Sequence, residues 1–131
     1  MLGVGFDALT RGETIEFAKR LIEEHSSAYM VTPNPEIVMQ TWDSEEVRAA
    51  VNGAELVIPE GIGVVKAANI LGTPLKERLP GIEISADILS YLAESGKSVF
   101  LLGAKPGVAE LAAERMKDTF PGLKVCGTND G

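Results

Sequence analysis

The stretch Glu-Leu-Val-Ile-Pro-Glu-Gly-Ile-Gly at residues 55–63 constrains this chain more than any other. Leu56, Val57 and Ile58 form a run too apolar for an edge open to water, and they fit a strand covered on both faces in a parallel sheet. Pro59 has no amide with which to continue a ladder, so the strand ends there, and Gly61 and Gly63 let backbone approach a neighbour or a ligand closely. A carboxylate, Glu60, is therefore expected at the carboxyl end of a buried strand, at the mouth of a cleft.

Around this stretch, apolar strand-like runs alternate with amphipathic helical ones, the pattern of β-α units on a mostly parallel sheet flanked by helices. The spacing predicts a short first strand at residues 2–4. A helix follows the capping-box sequence Thr10-Arg11-Gly12-Glu13, with Ile15, Ala18, Leu21 and Ile22 inward, and frays near His25, Ser26 and Ser27. Residues 28–32 read as the second strand. Asn34 can cap the next helix, Pro35 suits its first position, and Ile37, Val38 and Gln40 lie along it. Asp43 to Glu46 can cap another helix, which carries Val47, Ala50 and Val51 and stops at Asn52-Gly53.

Residues 64–71 are apolar almost all round, interrupted by Lys66 and Asn69, so a helix buried within the assembly is expected, ending at Gly72. The proline- and charge-rich connection 73–81, with Arg78 at its centre, suits a binding loop. A helix through Ile84, Ile88, Leu89, Tyr91 and Leu92 closes at Gly96, and residues 98–102 form a strongly apolar strand. Residues 103–107 lead into a helix with Val108, Leu111, Ala112 and Met116 inward, and 123–126 make the last strand. Residues 127–131 read as the start of a loop. The expected architecture is α/β and Rossmann-like, a single domain over 1–131 that is cut short at its C-terminus.

Composition narrows the function. A chain of 131 residues, 45% apolar and 24% charged, can bury roughly two-thirds of its unfolded surface around one core. A net charge of −7 argues against a nucleic-acid surface, so an anionic ligand has to be held locally. With a lone cysteine, nothing resembling a signal peptide, and no apolar run near the roughly 20 residues of a membrane span, a cytoplasmic setting is expected. Cys126 is expected in the core, His25 at a helix C-terminus where the dipole favours it, and Trp42 and Met39 against the chain's own core. No cluster has metal-ligand spacing, and neither a G-x-G-x-x-G fingerprint nor a P-loop is present.

Five motifs carry a further signal: Thr32-Pro33-Asn34, Pro59-Glu60-Gly61-Ile62-Gly63, Glu77-Arg78-Leu79-Pro80-Gly81, Phe100-Leu101-Leu102-Gly103 with Pro106, and Phe120-Pro121 followed by Gly127. In this order, over nearly the whole chain, they resemble the bacterial TagA/WecG/CpsF glycosyltransferases, nearest the TagA branch of wall teichoic acid synthesis. The resemblance implies an inverting enzyme that needs no metal or other cofactor. Its UDP-linked donor would give N-acetylmannosamine to N-acetylglucosamine on undecaprenyl diphosphate through a β-1,4 link. It also implies a homo-oligomer held peripherally at the inner face of the cell membrane.

Under that resemblance the motifs acquire roles. Ligands of doubly wound sheets collect beyond the carboxyl ends of strands, where Thr32–Asn34, Glu60–Gly63 and Gly103–Gly107 are expected. Glu60 is the candidate base for the acceptor hydroxyl, the other reading being a carboxylate stabilised by a helix N-terminus. Thr32, Asn34 and Gly61 are candidates for the sugar, although Asn34 equally suits a cap. Arg78 can clamp a diphosphate or simply be solvated, and backbone at Gly103, Lys105 and Gly107 can receive the nucleotide diphosphate. The family pattern usually carries aspartate where this chain has Glu60. One more methylene moves the carboxylate by about an ångström, which can cost on the order of a hundredfold in rate if the backbone does not adjust. A nucleotide-sugar-binding module without catalysis, and an unrelated Rossmann-like protein such as a methyltransferase, are the other readings.

Overall fold

A parallel strand pair needs a long crossover to return the chain to the same end, usually a helical one, and both strand pairs of this protein are joined that way. The computed structural model describes residues 1–25 and 27–131, which divide into two units, Met1–Ile84 and Ser85–Gly131. Each is α/β; together the described residues form six helices and four short strands.

The first unit opens with a turn in place of the strand expected at residues 2–4. Leu2 and Gly3 both have positive φ, 48° and 82°, and the Val4 amide returns to the Met1 carbonyl at 2.9 Å. Asn52 holds the segment from the side: its Nδ2 donates to the Gly3 carbonyl at 2.7 Å and its Oδ1 accepts from the Gly5 amide at 3.0 Å. A side chain thus satisfies backbone groups that a strand would have given to a ladder. Helix α1 (Arg11–Glu23) starts at the expected capping box, with Thr10 and Glu13 bonded reciprocally. Its buried residues are Thr14 and Ala18, whereas Ile15, Leu21 and Ile22 are half-buried. Thr14 can go inside because its hydroxyl donates to the Thr10 carbonyl at 2.9 Å. Glu24 caps the helix and His25 leaves it with φ 52°. Ser26, within the expected fraying, lies outside the described residues.

Strand β1 (Met30–Val31) is followed by α2 (Pro35–Asp43), α3 (Glu45–Asn52) and strand β2 (Leu56–Val57), with Met30 opposite Leu56 and Val31 opposite Val57. Ser44 serves both helices, donating its amide to the Gln40 carbonyl and accepting from the Val47 amide on its Oγ. Val4, Val38, Val51 and Val57 form the core here, with Phe6, Val31, Ile37 and Val47 packed against it. Trp42 and Met39 point away from it and are 61% and 52% exposed, against the expectation of packing on the chain's own core, because the inward side of α2 is taken by Val38 and Thr41. Helix α4 (Ile62–Ile70) is likewise buried along one line only, Val64 and Ala68, while Ile70 is 85% exposed. The expected all-round burial is not found.

Helix α5 (Gly81–Ser95) contains the division between the units, and Gly96 closes it with φ 70°. In the second unit β3 (Ser98–Leu102) pairs in parallel with β4 (Lys124–Asn129) across α6 (Val108–Thr119). The small residues Ala109 and Ala113 form the buried line of α6, and the expected inward residues Val108 and Leu111 are exposed. β4 also runs through residues 127–129, which read as a loop. The register explains why: Val99 faces Val125 but Phe100 faces Gly127, leaving Cys126 as the extra residue of a bulge. The Phe100 ring occupies the space above Gly127, where a Cβ would lie 2.6 Å from it. Cys126 is therefore exposed and not in the core, its thiol donating to the Val99 carbonyl at 3.3 Å. No helix among the described residues is long and apolar enough to cross a membrane.

The charges of the 73–80 connection close onto the start of α1. Lys76 Nζ lies 2.8 and 2.7 Å from the two carboxylate oxygens of Glu13, Glu77 accepts from the Arg11 amide, and the Arg11 guanidinium pairs with Glu83 at 2.9 Å. Lys76, followed by the Thr10 amide and hydroxyl, holds the Glu13 carboxyl at about 2, below its ordinary 4.5. A lowered folded pKa stabilises the fold above the unfolded value and loses that contribution as pH falls through the folded one. Unfolding by urea at stepped pH should therefore show the parent losing stability between pH 4.5 and about 2 more steeply than Glu13→Gln. Superimposed acid limbs would mean the strap contributes nothing.

Candidate active site

Because β1 and β2 run in the same direction, their carboxyl ends lie side by side, and the pairing extends one residue further through the Ile58 amide to the Val31 carbonyl at 3.0 Å. The chains then diverge at two fully buried prolines, Pro33 and Pro59, which offer no amide for a longer ladder. At that divergence Thr32 and Glu60 meet: the Thr32 hydroxyl donates to Glu60 Oε2 at 3.2 Å, and both residues are half-buried.

Three helix N-termini surround this pair. Asn34 caps α2, its Oδ1 accepting from the Ile37 amide at 2.9 Å, with Pro35 next in the helix. Gly61 caps α4 with no side-chain bond, and a Cβ placed on it would stand 3.1 Å from Pro35 Cδ. The third is the start of α5. The Leu79 amide donates to the Pro59 carbonyl at 2.9 Å, Leu79 is buried, and the Pro80 carbonyl accepts from the Glu83 and Ile84 amides as the helix begins. Those bonds deliver Gly81 to the pair: a Cβ there would lie 3.1 Å from Thr32 Cγ2 and 3.6 Å from Glu60 Oε1. Helix N-termini carry unpaired amides and partial positive charge, so this is ground that favours a carboxylate and, beside it, an anionic ligand.

Among the residues singled out from sequence, Thr32, Glu60 and Gly61 come together, with Asn34 adjoining as a cap whose Nδ2 is its remaining donor. Arg78 immediately precedes the anchored Leu79; its side chain is exposed and makes no ion pair or hydrogen bond among the described residues. Gly103, Lys105 and Gly107 belong to the second unit. There they follow β3 as expected: the Gly103 amide extends the ladder to the Asn129 carbonyl at 2.8 Å, the Lys105 carbonyl accepts from Val108, and Gly107, at φ 83°, is the N-cap of α6. Sequence reasoning missed the Thr32–Glu60 bond and the part played by Gly81, although both belong to the motifs it drew on. No group of three or more metal-ligating side chains occurs among the described residues.

The sequence profile of the glycosyl transferase WecG/TagA/CpsF family matches residues 1–131. The chain belongs to this family. It is 33% identical over 110 residues to the N-acetylglucosaminyldiphosphoundecaprenol N-acetyl-beta-D-mannosaminyltransferase of Bacillus spizizenii, an alignment covering 84% of this chain and 43% of that protein. The protein of the same name from Staphylococcus aureus NCTC 8325 is 34% identical over 125 residues, or 94% of this chain and 49% of the relative. The chain spans about half the length of the curated relatives it matches. The five motifs that suggested the WecG/TagA/CpsF family fall within the matched residues, among them the Thr32–Glu60 pair and Gly81.

The capping role of Asn34 is tested by substitution. Asn34→Ala should lower the unfolding free energy in urea by about 1 kcal/mol, and Asn34→Asp, which keeps the acceptor, by no more than a few tenths. Equal stability in all three proteins would show that the Asn34 side chain does not hold the start of α2.

Proposed function

We propose that this chain carries the catalytic half of an N-acetylmannosaminyltransferase, in which Glu60 is the general base. The observation that supports the reading is the Thr32–Glu60 hydrogen bond at the joined carboxyl ends of β1 and β2, in a member of a glycosyltransferase family. The donor is UDP-N-acetylmannosamine and the acceptor is N-acetylglucosamine on undecaprenyl diphosphate, as the relatives' names direct for the acceptor and the transferred sugar. The acceptor hydroxyl oxygen attacks the anomeric carbon from the face opposite the nucleotide while Glu60 takes its proton. The bond from that carbon to the diphosphate oxygen breaks, UDP departs with the electron pair, and the configuration inverts.

The other residues serve this displacement. Thr32, the Asn34 amide and the Gly61 backbone contact the sugars. Arg78, free to fold over a ligand, is the clamp on a diphosphate, and its forked donors suit two phosphate oxygens at once. In the second unit, backbone at Gly103, Lys105 and Gly107, where β3 feeds α6, is assigned to a nucleotide diphosphate. In this reading the leaving charge is met by arginine and helix termini, so a chelator leaves the rate unchanged. Parallel pairs with helical crossovers support a Rossmann-like architecture, and a lipid-linked acceptor supports peripheral work at the inner membrane face, carried out by a homo-oligomer.

The Glu60→Gln protein tests the central role. Its kcat should fall about a hundredfold or more while UDP affinity by calorimetry stays within about twofold of the parent. A glutamine variant that turns over like the parent contradicts the assignment. A parent that binds UDP without transferring sugar would favour the non-catalytic module.

A further inference from the structure

The absent side chain at Gly81 does something at this site that no backbone angle requires. Gly81 is the first residue of α5 and is not among the glycines with positive φ, so its conformation is one that alanine adopts as readily. What glycine provides is space. A Cβ at this position would lie 3.1 Å from Thr32 Cγ2, 3.4 Å from Thr32 Oγ1 and 3.6 Å from Glu60 Oε1. The first of these is tighter than ordinary van der Waals contact, and its partner is the methyl of a β-branched residue whose rotation is restricted. Thr32 also cannot retreat freely: it sits between Val31, paired with Val57, and the fully buried Pro33. Nor can Gly81 move off, because the preceding Leu79 is buried and bonded to the Pro59 carbonyl.

We infer that Gly81 is a positioning residue, whose lack of a side chain lets the Thr32 hydroxyl reach Glu60 and so fixes the orientation of the carboxylate. The 3.2 Å bond from Thr32 Oγ1 to Glu60 Oε2 is the contact at stake. A methyl at Gly81 presses on the Thr32 side chain from the α5 side, and the cheapest relief is a turn about the Thr32 Cα–Cβ bond, which carries the hydroxyl away from Glu60. The longer acid at position 60 makes the constraint sharper, since a glutamate has one more torsion to fix than an aspartate. This inference rests on the reading of Glu60 as the base for its consequence in rate, but not for its consequence in geometry.

The test uses the full chain in three forms: Gly81→Ala, Gly81→Ala combined with Thr32→Ser, and Glu60→Gln. Crystal structures and initial transfer rates are read for each, with thermal midpoints as a control. In Gly81→Ala the bond between residues 32 and 60 should be lost and kcat should fall on the order of tenfold, with the donor KM little changed, as a misplaced base requires. Adding Thr32→Ser removes the Cγ2 methyl that meets the new side chain and keeps the hydroxyl. It should restore both the bond and most of the rate, which a general loss of stability would not allow. The inference is overturned if Gly81→Ala keeps the 32–60 bond, or if the serine fails to recover it. Glu60→Gln reports separately: a parental rate there removes the base assignment, while the distances in the other two structures still decide the role of Gly81.

Discussion

The register of two short parallel strands is the constraint on which the rest of this site depends. With Val31 set opposite Val57, the residues that follow each strand leave the ladder side by side, and Thr32 comes within hydrogen-bonding distance of Glu60. A slip of one residue would turn every side chain to the other face and separate the pair. The register is in turn set by burial, since Leu56, Val57 and Ile58 are all inside and the N-terminal segment clasps Val57 through both the amide and the carboxylate of Asp7. Strand, proline and carboxylate therefore form one device in which apolar burial aims a polar group.

Electrostatics and space act on that device together. The starts of α2, α4 and α5 lie beside the Thr32–Glu60 pair, and the approach is close enough that Gly61, Gly63 and Gly81 could not carry a Cβ without pressing on Pro35 or Thr32. Close backbone approach and a concentration of helix N-termini are what a site for a negatively charged ligand needs when the chain as a whole carries a net charge of −7. The charged residues of the connecting loop have separate roles, since Lys76 and Glu77 tie it to α1 while Arg78 stays available.

Local chemistry was the most legible part of the sequence. The capping box at Thr10 and Glu13, the Asn34-Pro35 helix start, the Ser44 cap and the Gly96 stop are all where hydrogen bonding within a few residues places them. Which side of a helix goes inward was harder to read, because that is decided by partners distant in sequence. Ala109 and Ala113 displace Val108 and Leu111 on α6, and Thr14 goes inside because the Thr10 carbonyl takes its hydroxyl. Cys126 looked like core until the bulge opposite Phe100 turned it outward, and residues 2–4 looked like a strand until Asn52 supplied their partners. At the site, Glu60 could be singled out from its proline and glycine neighbours. Its bond to Thr32 required the strand register, and the role of Gly81 required the distances.

The proposed catalysis requires Glu60 to face a bound nucleotide sugar from the ends of β1 and β2. A crystal structure of the protein with UDP tests that most directly. Arg78 is expected on the diphosphate and the Thr32–Glu60 pair at the sugar position, with the carboxylate within roughly 3 Å of the place an incoming acceptor hydroxyl would take. A nucleotide bound elsewhere, or a Glu60 side chain turned away from it, would contradict the assignment of Glu60 as the base.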